Sequence, residues 1–358
     1  MNLLQILYPG IGGHSSVAFS LIEGDSCHEV SHCLMGYGIE NPSGSFLLKS
    51  KELNVPFTTI KKEEGFDFKS LKQVYRELKR IKPDAIIMHS TAVIVIVWWY
   101  CIWHKTKFLS VEHQSNNAKT KKDWVYSLLI LLLSPKVVYL TTNYAEEIKV
   151  KFKILYPTRK VKVINNGINT YKFKPNAKIR NGEEYTFSMI SRMTVLRDHK
   201  TLIDAFCEIA EDKNYRLLMA GDGTTKRELE KYVLDKKIGP KIVFTGSIDE
   251  ETIIELIQQT DIYIHSSLAE TLSTSILQVM ACKVPIIATD IPGINNVLFK
   301  NQDALLFTPK DRNALISQIK KLINDKELAK QLYNNSYEKV LRNYSCIEMF
   351  EKYKTLFN

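Results

Sequence analysis

The stretch from Asp261 to Asp290, DIYIHSSLAETLSTSILQVMACKVPIIATD, constrains the fold more than any other. Residues 261–266 and 285–289 are short, apolar and β-prone. Between them, 275–282 has helical spacing, with Ile276, Leu277, Val279 and Met280 able to face a sheet. Strand, loop, helix and strand in that order predict one unit of a parallel α/β sheet. The loop 267–274 then sits where such sheets hold ligands, at the carboxyl end of a strand. It carries one carboxylate, Glu270, followed by Ser273, Thr274 and Ser275 at the helix start. Amides and small hydroxyls there suit an anionic or polyhydroxy ligand. The residues by themselves leave a second reading open, with Glu270 a solvated loop acid and the serines simple caps.

The same alternation runs through both halves of the chain. Strands are predicted at 3–7, 28–35, 57–60, 85–88, 108–111, 137–141, 161–164, 185–190, 217–220 and 242–244. Helices are predicted at 67–82, 124–133, 143–153, 225–236, 251–258, 313–324, 326–340 and 344–357. Gly12 and Gly13 lie between the first strand and a helix expected near Val17, capped by Ser15 or Ser16. A glycine pair there lets backbone approach a phosphate, or is only a tight turn. His113 ends the 108–111 strand, and a His so placed is more often structural than catalytic. Read alone, Arg192 and Arg197 are surface charges. The basic loop 119–122 is either solvated or in contact with phosphate or membrane.

At 358 residues the chain has room for two domains, each doubly wound and together facing a central cleft. The expected division is 1–165, 166–340 and a closing helical segment 341–358, with a polar hinge at 165–183. The six cysteines are widely spaced without a C-x-x-C pair, which favours reduced thiols over disulfides or a zinc site. Residues 1–9 are too short and too soon followed by glycines to read as a secretory leader. The net charge of +10 is uneven: residues 1–165 hold 22 Lys and Arg against 14 Asp and Glu, and the remainder holds 27 against 25. A basic first half points to an anionic partner, a membrane surface or a lipid diphosphate, and no nucleic-acid motif accompanies it. The run 92–103, AVIVIVWWYCIW, rises only about 18 Å as a helix, short of a bilayer core. It is expected to pack inside the first domain or to touch lipid.

The 261–290 stretch resembles the signature of retaining GT-B glycosyltransferases of family 4. Ser267, Glu270, Thr274, Ser275, Met280, Ala281, Cys282 and the run 285–290 match. Gln278 stands for the family's second Glu, Val279 for Ala and Lys283 for Gly. Asn165, Asn166, Gly167 and Ile168 resemble the interdomain segment, Gly221-Asp222-Gly223 the G-D-G element, and Asp303 replaces a glycine-rich turn. The resemblance implies an α/β GT-B fold of two Rossmann-like domains and transfer of a hexose-type sugar from a nucleotide sugar, UDP favoured over GDP. It implies Arg192, with Arg197 in the family's Lys position, on the donor diphosphate, and Glu270 and His113 beside the transferred sugar. Gly12, Gly13, Gly246, Ile248, Leu272, Ser273, Thr274, Ser275 and Gln278 would line the donor site. No Asp-x-Asp metal motif is present, so neither a metal nor another cofactor is expected. The expected acceptor is a glycan carried on a polyprenyl diphosphate in bacterial surface-polysaccharide assembly. The enzyme would then be cytoplasmic and peripheral on the inner face of an anionic membrane. A non-catalytic binding subunit and a nucleotide-sugar epimerase are the competing readings.

Overall fold

A computed structural model describes residues 1–10, 13–65, 67–114, 116, 119–176, 184–211, 213–270 and 272–357. The chain divides into two compact units, Met1–Asn169 with Ser345–Asn358, and Thr170–Tyr344.

In the first unit the strands are β1 (Asn2–Leu7), β2 (Ser31–Gly38), β3 (Phe57–Lys61), β4 (Ala85–Met88), β5 (Lys107–Glu112), β6 (Val137–Tyr139) and β7 (Val161–Val163). All pair in parallel in the order β3-β2-β1-β4-β5-β6-β7. The helices are α1 (Gly13–Gly24), α2 (Gly44–Glu52), α3 (Phe68–Ile81), α4 (Ile94–His104), α5 (Lys121–Leu133) and α6 (Thr142–Lys151). Side chains alternate across the sheet, as strand geometry requires. Leu4 and Ile6 join a core with Val74, Val97 and Ile130, while Leu7 packs on the other face with Phe19 and Phe46.

The second unit repeats the plan. Its strands are β8 (Tyr185–Ile190), β9 (Tyr215–Ala220), β10 (Ile242–Gly246), β11 (Ile262–His265), β12 (Ile286–Thr289) and β13 (Leu305–Phe307). They run in parallel in the order β10-β9-β8-β11-β12-β13. Its helices are α7 (His199–Ile209), α8 (Lys226–Asp235), α9 (Glu250–Gln259), α10 (Thr274–Ala281), α11 (Pro292–Asn295), α12 (Arg312–Asn324) and α13 (Lys326–Asn343). Each sheet therefore has one switch point, between β1 and β4 and between β8 and β11, where neighbouring loops part and a ligand can enter.

The last helix, α14 (Cys346–Thr355), belongs to the first unit. Ile168 bridges Ser345, and the Cys346 amide donates to the Ile168 carbonyl at 2.9 Å. α14 then packs on α1 with Met349, Phe350 and Tyr353 buried.

Several expectations need correction. α1 opens at Gly13, ahead of Val17, so Ser15 lies inside the helix and donates to the Tyr8 carbonyl at 3.3 Å instead of capping. α2 was not legible in the sequence: it spans about two and a half turns and is set by its Ser43 cap and the single buried aromatic, Phe46. α5 opens at Lys121 behind a Thr120–Asp123 capping box, so Lys121 and Lys122 form its first turn instead of a loop. Phe68, an apolar residue of the 67–82 helix, is 72% exposed because it is the first residue after the Asp67 cap, ahead of the packed turns. Among the described residues no helix is long and apolar enough to cross a membrane. α4 divides its faces, burying Ile94, Val97, Tyr100 and Cys101 and exposing Val95, Trp99, Ile102 and Trp103.

Because Phe350 is buried against α1 and the first sheet, Phe350→Ala is expected to cost about 3–5 kcal/mol. Urea unfolding followed by amide exchange in β1 and β2 should show that loss in the first unit.

Candidate functional site

At the second unit's switch point, the loop after β8 carries Arg192 and Arg197, and the loop after β11 carries Glu270. Backbone bonds zip the two loops together. Leu268 N donates to Leu196 O at 2.9 Å, and Asp198 N donates to Ser266 O at 3.1 Å. Arg197 closes the zip with its planar fork. Nη1 donates to Ser267 Oγ at 2.7 Å and to the Ala269 carbonyl, and Nη2 meets Glu270 Oε2 at 3.0 Å. The two side chains are only 17% and 10% exposed, so the pair is mostly desolvated, and removing either partner would strand a charge. His265, which sequence reasoning missed, reaches the same Oε2 at 3.2 Å. Its signal was a histidine closing an otherwise apolar strand.

Arg192 is exposed on a loop whose floor is the Gly221-Asp222-Gly223 element. Gly221 has φ 134, and a Cβ there would stand 1.9 Å from Ser191 O. Gly223 has φ 153, and its Cβ would stand 2.3 Å from Met193 O. Only glycine allows this approach. It lets Met193 N reach Asp222 O at 2.9 Å and Thr225 N reach Met193 O at 3.1 Å.

The start of α10 uses most of its hydroxyls internally. Ser273 caps the helix by accepting from Ile276 N at 3.4 Å, and Ser275 is buried, 2.9 Å from Ser273 Oγ and 3.0 Å from Tyr263 Oη. Thr274 and Gln278 are partly exposed and Leu272 is buried. Gly246 has φ 73 and its carbonyl accepts from Gly221 N at 2.8 Å, which ties the loop after β10 to the one after β9. Ile248 leans on the cluster of Leu218, Ala220 and Leu256.

Two departures from the family pattern have conformational explanations. Lys283 follows α10 with φ 55, a left-handed residue at a helix end, which is the reason glycine suits that position. Asp303 is buried, accepting from Phe299 N at 3.0 Å and pairing with Lys339 at 2.6 Å, and so closes its turn with a side chain instead of a glycine.

In the first unit, His113 lies with His89 and His14 at that sheet's switch point. The His113 ring stands 4.4 Å from His14 and 5.0 Å from His89, centroid to centroid. Gln5, buried in β1, donates its amide to the Ala18 carbonyl at 3.3 Å and turns Oε1 to His89 Nε2 at 3.0 Å. A carbonyl oxygen only accepts, so His89 holds its proton on Nε2. Burial drives the His89 pKa down to about 3, so the ring is neutral and its bare Nδ1 accepts from His113 Nε2 at 2.8 Å. Burial, His14 and His89 likewise hold His113 well below the ordinary value. Neutral His113 therefore offers Nδ1 as an acceptor, suited to a hydroxyl hydrogen. Gln5 and His89 were missed, and a polar amide inside LLQIL was the available signal. Gly13 opens α1, and Gly12 lies outside the described residues. Lys119, expected in a basic surface loop, has a buried side chain 3.4 Å from Glu112, and burial pushes both groups toward their neutral forms.

The sites of Arg197, Glu270 and the α10 start are thus brought together in the second unit, while His113 belongs to the first. Residues 171–339 match the family described as glycosyl transferases group 1, and residues 13–172 match glycosyltransferase family 4. The chain belongs to the family 4 glycosyltransferases and has the GT-B fold. It is 24% identical to UDP-Gal:alpha-D-GlcNAc-diphosphoundecaprenol alpha-1,3-galactosyltransferase of Escherichia coli, over 81% of this chain and 79% of that protein. It is 25% identical to an uncharacterized glycosyltransferase of Methanocaldococcus jannaschii, over 59% of this chain and 57% of that protein, a match spanning little more than half of the relative. The crystal structure of Anabaena HepE in complex with UDP-glucose superposes with a TM-score of 0.84 at 17% identity, covering 99% of each chain.

Two measurements follow from this geometry. His89 has a folded pKa of about 3, below the ordinary 6.5, so the unfolded chain takes up a proton first as pH falls. The His89 contribution to stability is complete above pH 6.5 and is lost between 6.5 and 3, at up to about 1.4 kcal/mol per pH unit. His89→Gln should flatten that acid limb in urea titrations across pH. Lys283→Gly should raise stability by roughly 1 kcal/mol, by relieving the left-handed residue, without changing nucleotide affinity.

Proposed function

We propose that this chain is a retaining glycosyltransferase that moves a hexose from a nucleotide sugar, UDP-linked in preference to GDP-linked, to a glycan acceptor carried on lipid. The observation that carries the reading is the joined pair of loops at the β8/β11 switch point, with Arg192 exposed, Arg197 fixed to Glu270, and the α10 start alongside. Arg192 and the first amides of α10 stabilise charge growing on the leaving diphosphate, where preorganised electrostatics act most strongly, and the Arg197 fork holds the Arg192 loop to Glu270. Glu270 orients sugar hydroxyls, and His113 accepts a hydroxyl hydrogen through Nδ1. The leaving phosphate takes the acceptor's proton on the same face of the sugar, so no protein base is assigned. Cations of the protein do the work a metal ion does elsewhere, so transfer is metal-independent.

The family membership, the E. coli relative's lipid-diphosphate acceptor and the fold likeness to a UDP-glucose complex support the donor and acceptor classes. Surface-polysaccharide assembly is the setting that fits such an acceptor. The first unit adds a surface suited to it. Exposed Val95, Trp99, Ile102 and Trp103 form a strip on α4, next to Val125 and Leu132 of α5. α3 packs on the other side of α4 with Lys69, Lys72, Arg76 and Lys79 exposed. An apolar strip with aromatic residues beside a basic one suits an anionic lipid interface, and we assign the protein a peripheral position there.

The competing reading, a binding subunit without catalysis, rests on Gln278. A neutral acceptor to the ribose is worth about 1 kcal/mol against roughly 1.5–3 for a carboxylate. Free UDP or GDP released from a panel of nucleotide sugars, with and without EDTA, separates the two. Arg192→Ala should lower that release by about 10²–10³-fold, and near-normal release would remove Arg192 from the mechanism. Gln278→Glu should tighten UDP binding by roughly 3–30-fold in calorimetry. In flotation with phosphatidylglycerol vesicles, the unsubstituted protein should rise with lipid and the Trp99→Ala/Trp103→Ala protein should stay below. A native protein that stays below at low salt contradicts the membrane assignment.

A further inference from the structure

A chain of buried polar groups runs behind Glu270, and the mechanism above does not use it. His265 is 1% exposed at the end of β11. Its Nε2 lies 3.2 Å from Glu270 Oε2, the oxygen that also meets Arg197. An ionised carboxylate only accepts, so the His265 proton sits on Nε2. Burial lowers the His265 pKa, leaving the ring neutral and Nδ1 bare. Nδ1 lies 3.1 Å from Tyr263 Oη, a hydroxyl whose single proton is also within reach of the Ile190 carbonyl at 3.2 Å and Ser275 Oγ. Tyr263 is 0% exposed, and its Oη is 3.0 Å from Ser275 Oγ in the first turn of α10. Ser275 Oγ is in turn 2.9 Å from the capping Ser273 Oγ. Burying so many polar groups is costly unless each is bonded, and a satisfied network of this kind holds its members in one arrangement.

We propose that His265 is a positioning residue for sugar transfer: its Nε2–H fixes the plane of the Glu270 carboxylate, and through Tyr263 and Ser275 it locks that carboxylate in register with the start of α10. This inference rests on the transferase reading and deepens it. Arg197 holds Glu270 from the β8 loop and His265 holds it from β11, so one oxygen is gripped from two elements. A ligand spanning Glu270 and the α10 start then meets them at a fixed separation. The loss of His265 should disturb turnover more than nucleotide binding, because the α10 start keeps its own Ser273 cap.

The test compares His265→Leu, which removes both nitrogens at similar volume, with His265→Gln, whose amide can restore the donor at the Nε2 position. UDP-glucose is the donor probe and UDP the binding probe. His265→Leu should lower UDP release from UDP-glucose by roughly 10–100-fold while UDP affinity stays within about threefold. His265→Gln should recover most of that loss. Wild-type turnover in His265→Leu, or equal loss in both variants, overturns the proposal. Long-range ¹H–¹⁵N spectra of the histidine-labelled full chain give a readout that needs no activity, with the His265 signals assigned by their loss in the variants. A proton on Nε2 sustains the proposal and a proton on Nδ1 overturns it. Absence of turnover in the unsubstituted chain with every donor would instead count against the transferase reading, and the spectra would still decide the role of His265.

Discussion

The second unit depends on one mostly desolvated ion pair, Arg197 with Glu270. Two loops from neighbouring strands would otherwise diverge at the β8/β11 switch point. Their backbones pair, and the guanidinium spans from one to the other, satisfying Ser267, Ala269 and Glu270 together. A lysine there could supply the charge but not the planar fork that serves three acceptors. The substitution of Arg for the family's Lys therefore changes the residue's work in this structure, from a point charge toward a clamp. The exposed cation on the same loop is Arg192, and its backbone is set by two glycines with no room for a side chain.

The first unit solves a similar problem with neutral groups. Gln5 orients His89, and His89 orients His113, so the imidazole at the mouth of that sheet shows a defined nitrogen. Each unit thus buries a histidine behind a candidate site residue, His89 behind His113 and His265 behind Glu270. Each buried ring is neutral, and its tautomer is set by a partner that can only accept. The first arrangement is vulnerable to acid, because protonating His89 would set an Nδ1–H against the His113 Nε2–H.

Much of this was legible in the sequence, for identifiable reasons. The strand-loop-helix pattern around Glu270 predicted β11, α10 and β12 nearly to the residue, because short apolar runs flanking a helical repeat admit few other foldings. Glu270 stood out as the one carboxylate on a loop between such elements, whereas Arg192 reads as a surface charge and was marked only by the family resemblance. The relays were not found, since Gln5, His89, Tyr263 and His265 are scattered along the chain and meet only when strands pair. The meaning of Lys283 was also hidden, since a left-handed helix end has no mark in composition. α2 escaped because its helical repeat is too short to show a period. The basic loop 119–122 was misjudged because a capping box drew Lys121 and Lys122 into α5 and a buried acid took Lys119.

The central claim is that the joined loops of the second unit clasp a nucleotide diphosphate while Glu270 steers the sugar. The most direct measurement is a crystal structure of the chain with UDP-glucose bound. The account predicts the diphosphate at Arg192 and the first turn of α10, with a glucose hydroxyl on the Glu270 carboxylate. UDP-glucose bound elsewhere, with those loops unoccupied, would contradict it.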